Sequence, residues 1–178
     1  METLKIGSKA PDFNLPATDG KLYSLDYFNG RKGFIIIFSC NHCPYVRAYE
    51  ERIKKIQSDY SNKGINIIAI NSNDSDQYED DSFENMKSRA AEMAFNFPYL
   101  RDEDQDVAKQ YGASHTPEIF LFDNQRTLVF HGKIDDNWRD ESKIKSNYLR
   151  DAIDELIEGK DISVPETFTI GCTIKWKP

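Results

Sequence analysis

Apolar and polar residues follow two rhythms along this chain. Phe34, Ile35, Ile36, Ile37 and Phe38 form an unbroken apolar run, the pattern of a strand covered on both faces. After it, Val46, Tyr49, Ile53, Ile56 and Tyr60 fall at spacings of three and four, which places them on one stripe of an amphipathic helix. Pro44 suits the first turn of that helix, where its missing N–H has no partner to lose. Asn62-Lys63-Gly64 supplies the stop. Ile65 to Ile70 is a second apolar run, and a strand, a helix and a strand in succession predict parallel pairing.

The remaining elements follow from the same patterns. Phe13 and Leu15 alternate with polar residues, Asp19-Gly20 supplies a turn, and Leu22 to Leu25 return, so residues 1–30 read as an arm with a hairpin. Phe83, Met86, Ala90 and Met93 share a helical face. Phe97 to Leu100 reads as a short strand, and Asp104 to Tyr111 as a short helix closed by Gly112. Thr116-Pro117 introduces Glu118 to Phe122, which is expected to pair antiparallel with Leu128 to His131 around Asp123-Asn124. Tyr148, Leu149, Ala152, Ile153, Leu156 and Ile157 mark a last amphipathic helix that ends at Gly159. The tail from Phe168 to Trp176 is apolar enough to dock on the body. With no internal repeat, linker or low-complexity segment, residues 1–178 are expected to form a single α/β domain, a sheet with helices on both faces.

Composition narrows the function. Among 178 residues, 23 Lys and Arg face 30 Asp and Glu, a net charge of −7 with no basic run. That balance argues against nucleic-acid and anionic-membrane partners. The N-terminal residues carry no apolar core of signal-peptide length, and no segment approaches transmembrane length, so a cytoplasmic location is expected. Three cysteines in a reducing compartment fit a catalytic pair plus one, not a disulfide scaffold.

The candidate chemistry lies where the apolar strand meets the helix, in Ser39-Cys40-Asn41-His42-Cys43-Pro44. Free N–H groups and the positive end of a helix dipole favour a thiolate. Two intervening residues let both sulfurs meet and close a disulfide, and a Cys-x-x-Cys in this setting signals dithiol–disulfide chemistry. By its order in the turn, Cys40 is expected to be the accessible nucleophile and Cys43 the buried resolving thiol. The alternative is half of a zinc site, but Cys172, His115 and His131 are the other soft ligands and form no second pair of matching spacing. Asp102, Asp104 and Asp106 have the spacing of a calcium loop without its glycine and terminal glutamate. Asp74 to Asp81 fails in the same way. A helix start and a solvated loop account for both acidic clusters, so no metal is expected.

Gly7, Ala10-Pro11-Asp12-Phe13, Leu15, Asp19-Gly20, Leu25 and the Cys40–Cys43 motif together resemble the redoxin branch of the thioredoxin superfamily. Thr116-Pro117 before an apolar strand resembles that superfamily's cis-proline loop. The stretches Cys40 to Val46, Thr116 to Asp123 and Ile170 to Trp176 are similar to bacterial thioredoxin-like proteins described as thiol-disulfide isomerases. The resemblance implies a thioredoxin fold: a central mixed sheet flanked by helices, with an N-terminal hairpin. It also implies a cis bond before Pro117, packed against the dithiol, whose neighbouring backbone groups can pair with an extended substrate. About 74 residues separate Cys43 from Pro117, so an insertion is expected between the second core strand and the cis-proline strand, around Tyr78 to Leu100. The superfamily's buried aspartate would fall where this chain has Phe34, and Glu118 is the alternative proton carrier unless it merely faces outward.

The implied activity is thiol–disulfide exchange with substrate proteins and a recycling reductase, through Cys40 and Cys43 and without a cofactor. His42, just before Cys43, is expected to tune the pair, because an imidazole N–H near the Cys40 sulfur stabilises the reduced form. Thr116, Pro117 and Glu118 form the expected substrate loop. Cys172 is expected to serve packing, with an auxiliary thiol role as the alternative. Two other functions stay open. One is a peroxiredoxin-like peroxidase, since Cys43-Pro44 resembles a peroxidatic Cys-Pro, although Ile36, Cys40 and Thr116-Pro117 stand where the family's proline, threonine and arginine belong. The other is a non-catalytic binding module on the same fold.

Overall fold

The computed structural model describes residues 2–178; Met1, the first residue of the expected N-terminal arm, lies outside them. The chain runs β1 (Leu15–Pro16), β2 (Leu22–Tyr23), β3 (Gly33–Ser39), α1 (Pro44–Tyr60), β4 (Ile65–Asn71), α2 (Phe83–Glu92), β5 (Tyr99–Arg101), α3 (Asp106–Tyr111), β6 (His115–Thr116), β7 (Glu118–Asp123), β8 (Leu128–Gly132), α4 (Tyr148–Ile157) and β9 (Cys172–Thr173). Five strands make the central sheet in the order β5-β4-β3-β7-β8. β3 pairs parallel with β4 along its whole length, from Gly33 opposite Ile65 to Ser39 opposite Asn71. On its other side β3 pairs antiparallel with β7, from Gly33 opposite Asp123 to Phe38 opposite Glu118. The sheet is therefore mixed, and its central strand is the one that ends at the cysteines.

All seven residues of β3 are buried, and the pleat sends alternate side chains to opposite cores. Ile35 and Ile37 join Tyr49, Ile53 and Ile56 of α1, Met86 of α2, and Leu149 and Ile153 of α4. Phe34, Ile36 and Phe38 join Phe13 and Leu25 of the N-terminal arm and Val107, Ala108 and Tyr111 of α3. Sheet faces covered by helices and by the arm, with hairpin β1–β2 beside β5, give the thioredoxin architecture. The expected insertion contributes more than packing. It adds β5 to the sheet edge, beside β4, and a 3₁₀ turn, Glu79–Asp81, above the ends of β3 and β4.

That turn corrects the view of the first acidic cluster as a solvated loop. Asp74 and Asp81 are buried, and Asp81 accepts hydrogen bonds from the Asn41 N–H and from the side chains of Asn71 and Asn73. The second cluster does start a helix, because Asp102 accepts from the Val107 and Ala108 N–H groups; Asp102 itself is fully buried, with Ser72 as a further donor, while Asp104 and Asp106 are exposed. A buried carboxylate is tolerated when polar donors replace its water, and the asparagines at the end of β4 supply them. The tail docks as expected from Cys172 onward, whereas Phe168 is 92% exposed.

Candidate active site

The cysteine motif is placed by the junction of β3 and α1. β3 ends at Ser39, and Cys43 is the N-cap residue of α1, with Pro44 in the first turn. The Cys43 carbonyl accepts the Arg47 N–H at 3.0 Å, and the Arg47 guanidinium returns to the Asn41 carbonyl at 2.9 Å. Across from the motif the Thr116–Pro117 bond is cis. The Thr116 hydroxyl lies 3.3 Å from the Cys40 sulfur, and the Thr116 carbonyl oxygen lies 3.3 Å from the Cys43 sulfur. Thr116 thus touches both sulfurs, from its side chain and its backbone.

The sulfurs are less open than their order in the turn predicts. Cys40 is 2% exposed and Cys43 0%, with Val46, Tyr45 and Cys172 packed around them. The expectation of an exposed Cys40 is therefore corrected. The cover comes from β9, which pairs antiparallel with β6 and sets Cys172 opposite Thr116. The Cys172 sulfur lies 2.8 Å from that of Cys43. All three cysteines are free thiols.

Charge within the pair also differs from expectation. The Cys40 thiol is pushed far up, chiefly because it donates to the Cys43 sulfur, then by burial and by the Asp81 charge. Cys43 is pulled down to about 4 by that same hydrogen bond against the cost of burial, with the Cys172 thiol and the Val46 and Cys172 N–H groups as further support. The group pulled down is thus the second cysteine of the motif, at the N-cap of α1, with the Val46 N–H of the first helical turn among the causes.

His42 sits at the edge of this arrangement. Its ring is stacked on Tyr78 with centroids 6.0 Å apart and planes 5° from parallel. Its Nδ1 lies 2.6 Å from an Asp81 carboxylate oxygen but is poorly aligned for a hydrogen bond and has no other partner. One atom each from Cys40, His42 and Asp81 fall within 4.8 Å of one another. These three donors are one short of a tetrahedral zinc site, and the Asp81 oxygens already accept from three N–H groups.

Asp81 was missed by sequence reasoning. It brings a buried carboxylate within 4.8 Å of the Cys40 sulfur, from a part of the chain far from Phe34, where the superfamily's aspartate was expected. The signal available was the run of asparagines at 71 and 73, a donor set with no evident acceptor. Glu118, the alternative proton carrier, is not an outward-facing strand residue. It is buried and accepts from the Ser114 and His115 N–H groups, with His131 Nε2 at 2.7 Å.

Burial raises the Glu118 carboxyl, but the hydrogen bonds from His131, Ser114 and His115 outweigh it and hold the group below its ordinary value. Such a group contributes stability in full above its unfolded pKa, and the contribution is lost as pH falls through the folded value. Urea midpoints measured against pH are therefore expected to fall less steeply below about pH 4.5 in Glu118→Gln than in the wild type. Equal slopes would remove Glu118 as a source of acid sensitivity.

Three comparisons bear on this geometry. A family model described as Redoxin matches residues 5–148. The thiol-disulfide oxidoreductase ResA of Bacillus thuringiensis subsp. konkukian is 25% identical over 130 residues, 72% of this chain and 69% of its own length. Peroxiredoxin Bcp of Escherichia coli K12 is 26% identical over 112 residues, 63% of this chain and 67% of its own. The solved structure of an uncharacterized conserved protein from Geobacillus kaustophilus superposes with a TM-score of 0.92 at 40% identity, covering 98% of this chain and 93% of that one.

Proposed function

The chain belongs to the Redoxin family, and from that premise we propose that it is a thiol–disulfide oxidoreductase in which Cys40 and Cys43 cycle between dithiol and disulfide. The observation that carries the proposal is geometric: both cysteine sulfurs meet one residue, Thr116, beside the cis Pro117. In this cycle Cys40 attacks one sulfur of a substrate disulfide, and its proton passes to the neighbouring Cys43 sulfur, the group of the pair whose pKa is pulled down. The first substrate thiolate leaves and takes that proton from Cys43. Cys43 then attacks the Cys40 sulfur, the mixed disulfide breaks, and the second substrate thiolate departs. The substrate disulfide is reduced by two electrons, and the Cys40–Cys43 pair is oxidised by the same two.

The substrates are proteins with accessible disulfides, and a thiol reductase regenerates the dithiol. Among the described residues no helix is long and apolar enough to cross a membrane. Equilibration with glutathione redox buffers tests the proposal: two thiols are expected to be lost together, as one intramolecular disulfide following a two-electron curve. Failure to form any intramolecular disulfide across the buffer range would end this reading.

A second reading is supported by one observation. Cys43, whose thiol is pulled down to about 4, directly precedes Pro44 at the start of α1, which is also the placement of a peroxidatic thiol. In that chemistry Cys43 attacks a peroxide oxygen and becomes a sulfenic acid, and a neighbouring thiol condenses with it, releasing water. Stopped-flow fluorescence of Cys40→Ser with micromolar hydrogen peroxide separates the two. No reaction within seconds is expected, and rapid consumption would put the peroxidase first.

A further inference from the structure

Cys172 has no part in the exchange described so far, yet its sulfur lies 2.8 Å from that of Cys43. The segment that carries it is anchored on both sides. Before it, the Thr167 N–H donates to the His131 carbonyl and the Lys133 N–H to the Thr167 hydroxyl. After it, the Ile174 N–H donates to the Ser114 carbonyl and the Lys175 N–H to the Asn73 side chain. Between these anchors Gly171 passes so close to Thr116 that a Cβ there would lie 2.2 Å from the Thr116 carbonyl oxygen. Cys172 is also the one partly exposed sulfur, since Cys40 and Cys43 are both buried.

We propose that Cys172 is the third redox thiol of this site and its port to solvent. It takes the disulfide over from Cys40–Cys43, and an external reducing thiol enters at the Cys172 sulfur. The inference rests on the Cys40–Cys43 exchange proposed above. Once that disulfide has formed, the Cys172 sulfur attacks Cys43. The Cys172–Cys43 bond forms as the Cys43–Cys40 bond breaks, and Cys40 leaves as a thiolate that takes up the proton Cys172 gave away. There is no net oxidation or reduction in this step: Cys172 is oxidised as Cys40 is reduced by the same two electrons. An external thiol then attacks Cys172, and a second external thiol completes the reduction, returning three thiols and one external disulfide. In the reduced state the Cys172 thiol is held up, to about 11, by burial and by its hydrogen bond to the Cys43 sulfur. When Cys43 enters a disulfide its charge disappears, and with it part of that restraint.

Peptide mapping of the full chain tests this directly. Protein oxidised with glutathione disulfide is quenched in acid, blocked with N-ethylmaleimide and digested with trypsin. Peptide Gly33–Arg47 holds Cys40 and Cys43, and peptide Asp161–Lys175 holds Cys172. The expected product is the two peptides joined, with one blocked thiol that fragmentation assigns to Cys40. Peptide Gly33–Arg47 internally oxidised and unjoined would overturn the relay and leave the Cys40–Cys43 exchange standing. Absence of any disulfide would overturn both.

Two variants make the geometry answerable. Gly171→Ala, whose added methyl cannot fit against Thr116, is expected to lose most of the joined product while all three cysteines remain. Undiminished joining in that variant would show that β9 docking does not drive the step. In Cys172→Ser the oxidised protein keeps its disulfide between two buried sulfurs, and reduction by glutathione is expected to be about tenfold slower than in wild type, as restricted access slows exchange. An equal rate would remove Cys172 as the port.

Discussion

Cys43→Ser is expected to abolish disulfide exchange, with a loss on the order of a thousandfold or more, while the fold survives. Serine is close to cysteine in shape, and the position is held by backbone contacts: the Arg47 N–H on its carbonyl and Pro44 opening α1. What is lost is the sulfur that every step shares. In the proposed cycle Cys43 receives the Cys40 proton and closes the disulfide with Cys40, and it lies against the Cys172 sulfur. An oxygen forms no disulfide, so a substrate captured on Cys40 has no internal route off. Turnover of a disulfide substrate with a recycling reductase, alongside circular dichroism of the same sample, checks this. Trapping of a stable mixed disulfide on Cys40 is the expected companion result. Retention of more than about a tenth of wild-type turnover would mean that the cycle does not pass through Cys43.

Asp81→Ala is expected to carry the largest cost in stability, about 4 kcal/mol, because it strips a common acceptor from several buried donors. The Asn41 N–H, Asn71 and Asn73 all point at this carboxylate, from 2.6, 3.0 and 2.8 Å. No bulk water is at hand to replace it, since Asp81 is wholly buried. Urea unfolding of the reduced protein measures the effect, and a change under about 1 kcal/mol would show that the asparagines find other acceptors. Asp81→Asn separates charge from shape. The Asp81 charge is one of the causes that raise the Cys40 thiol, so in the asparagine variant alkylation of Cys40 should set in at lower pH. An unmoved profile would confine Asp81 to the hydrogen-bond network.

The fold was readable where the cause is local. Phe34 to Phe38 and the stripe from Val46 to Tyr60 fix β3 and α1 through side-chain period alone, and the two cysteines inherit their place from that junction. Thr116-Pro117 was readable through its resemblance to a known loop. The rest of the site was illegible because it is assembled at long range. Asp81 looks like one more charge in an acidic stretch, and its burial follows from Asn71 and Asn73 at the end of β4 and from Asn41 beside Cys40. For Glu118 the sequence left a proton carrier and an outward-facing residue both open, because its partner His131 lies on the neighbouring strand. Cys172 meets Cys43 across 129 residues of sequence, through a strand of two residues that no periodicity announces. The error about which sulfur is exposed has the same origin, since the cover over Cys40 and Cys43 is supplied from the far end of the chain.

With Cys172 as the port proposed above, the strap formed by β9 is expected also to sort oxidants and reductants by size. Because it lies along β6 and is fastened at both ends, an extended polypeptide can pair with β6 only in molecules where the strap has lifted. If one molecule in a hundred is open, a protein partner binds about a hundredfold more weakly than its intrinsic affinity allows. A small thiol or disulfide bears no such penalty, because it meets the Cys172 sulfur with the strap in place. Loosening the strap, as Gly171→Ala is expected to do, should therefore favour large partners at the expense of small ones, turning a filter into an open door.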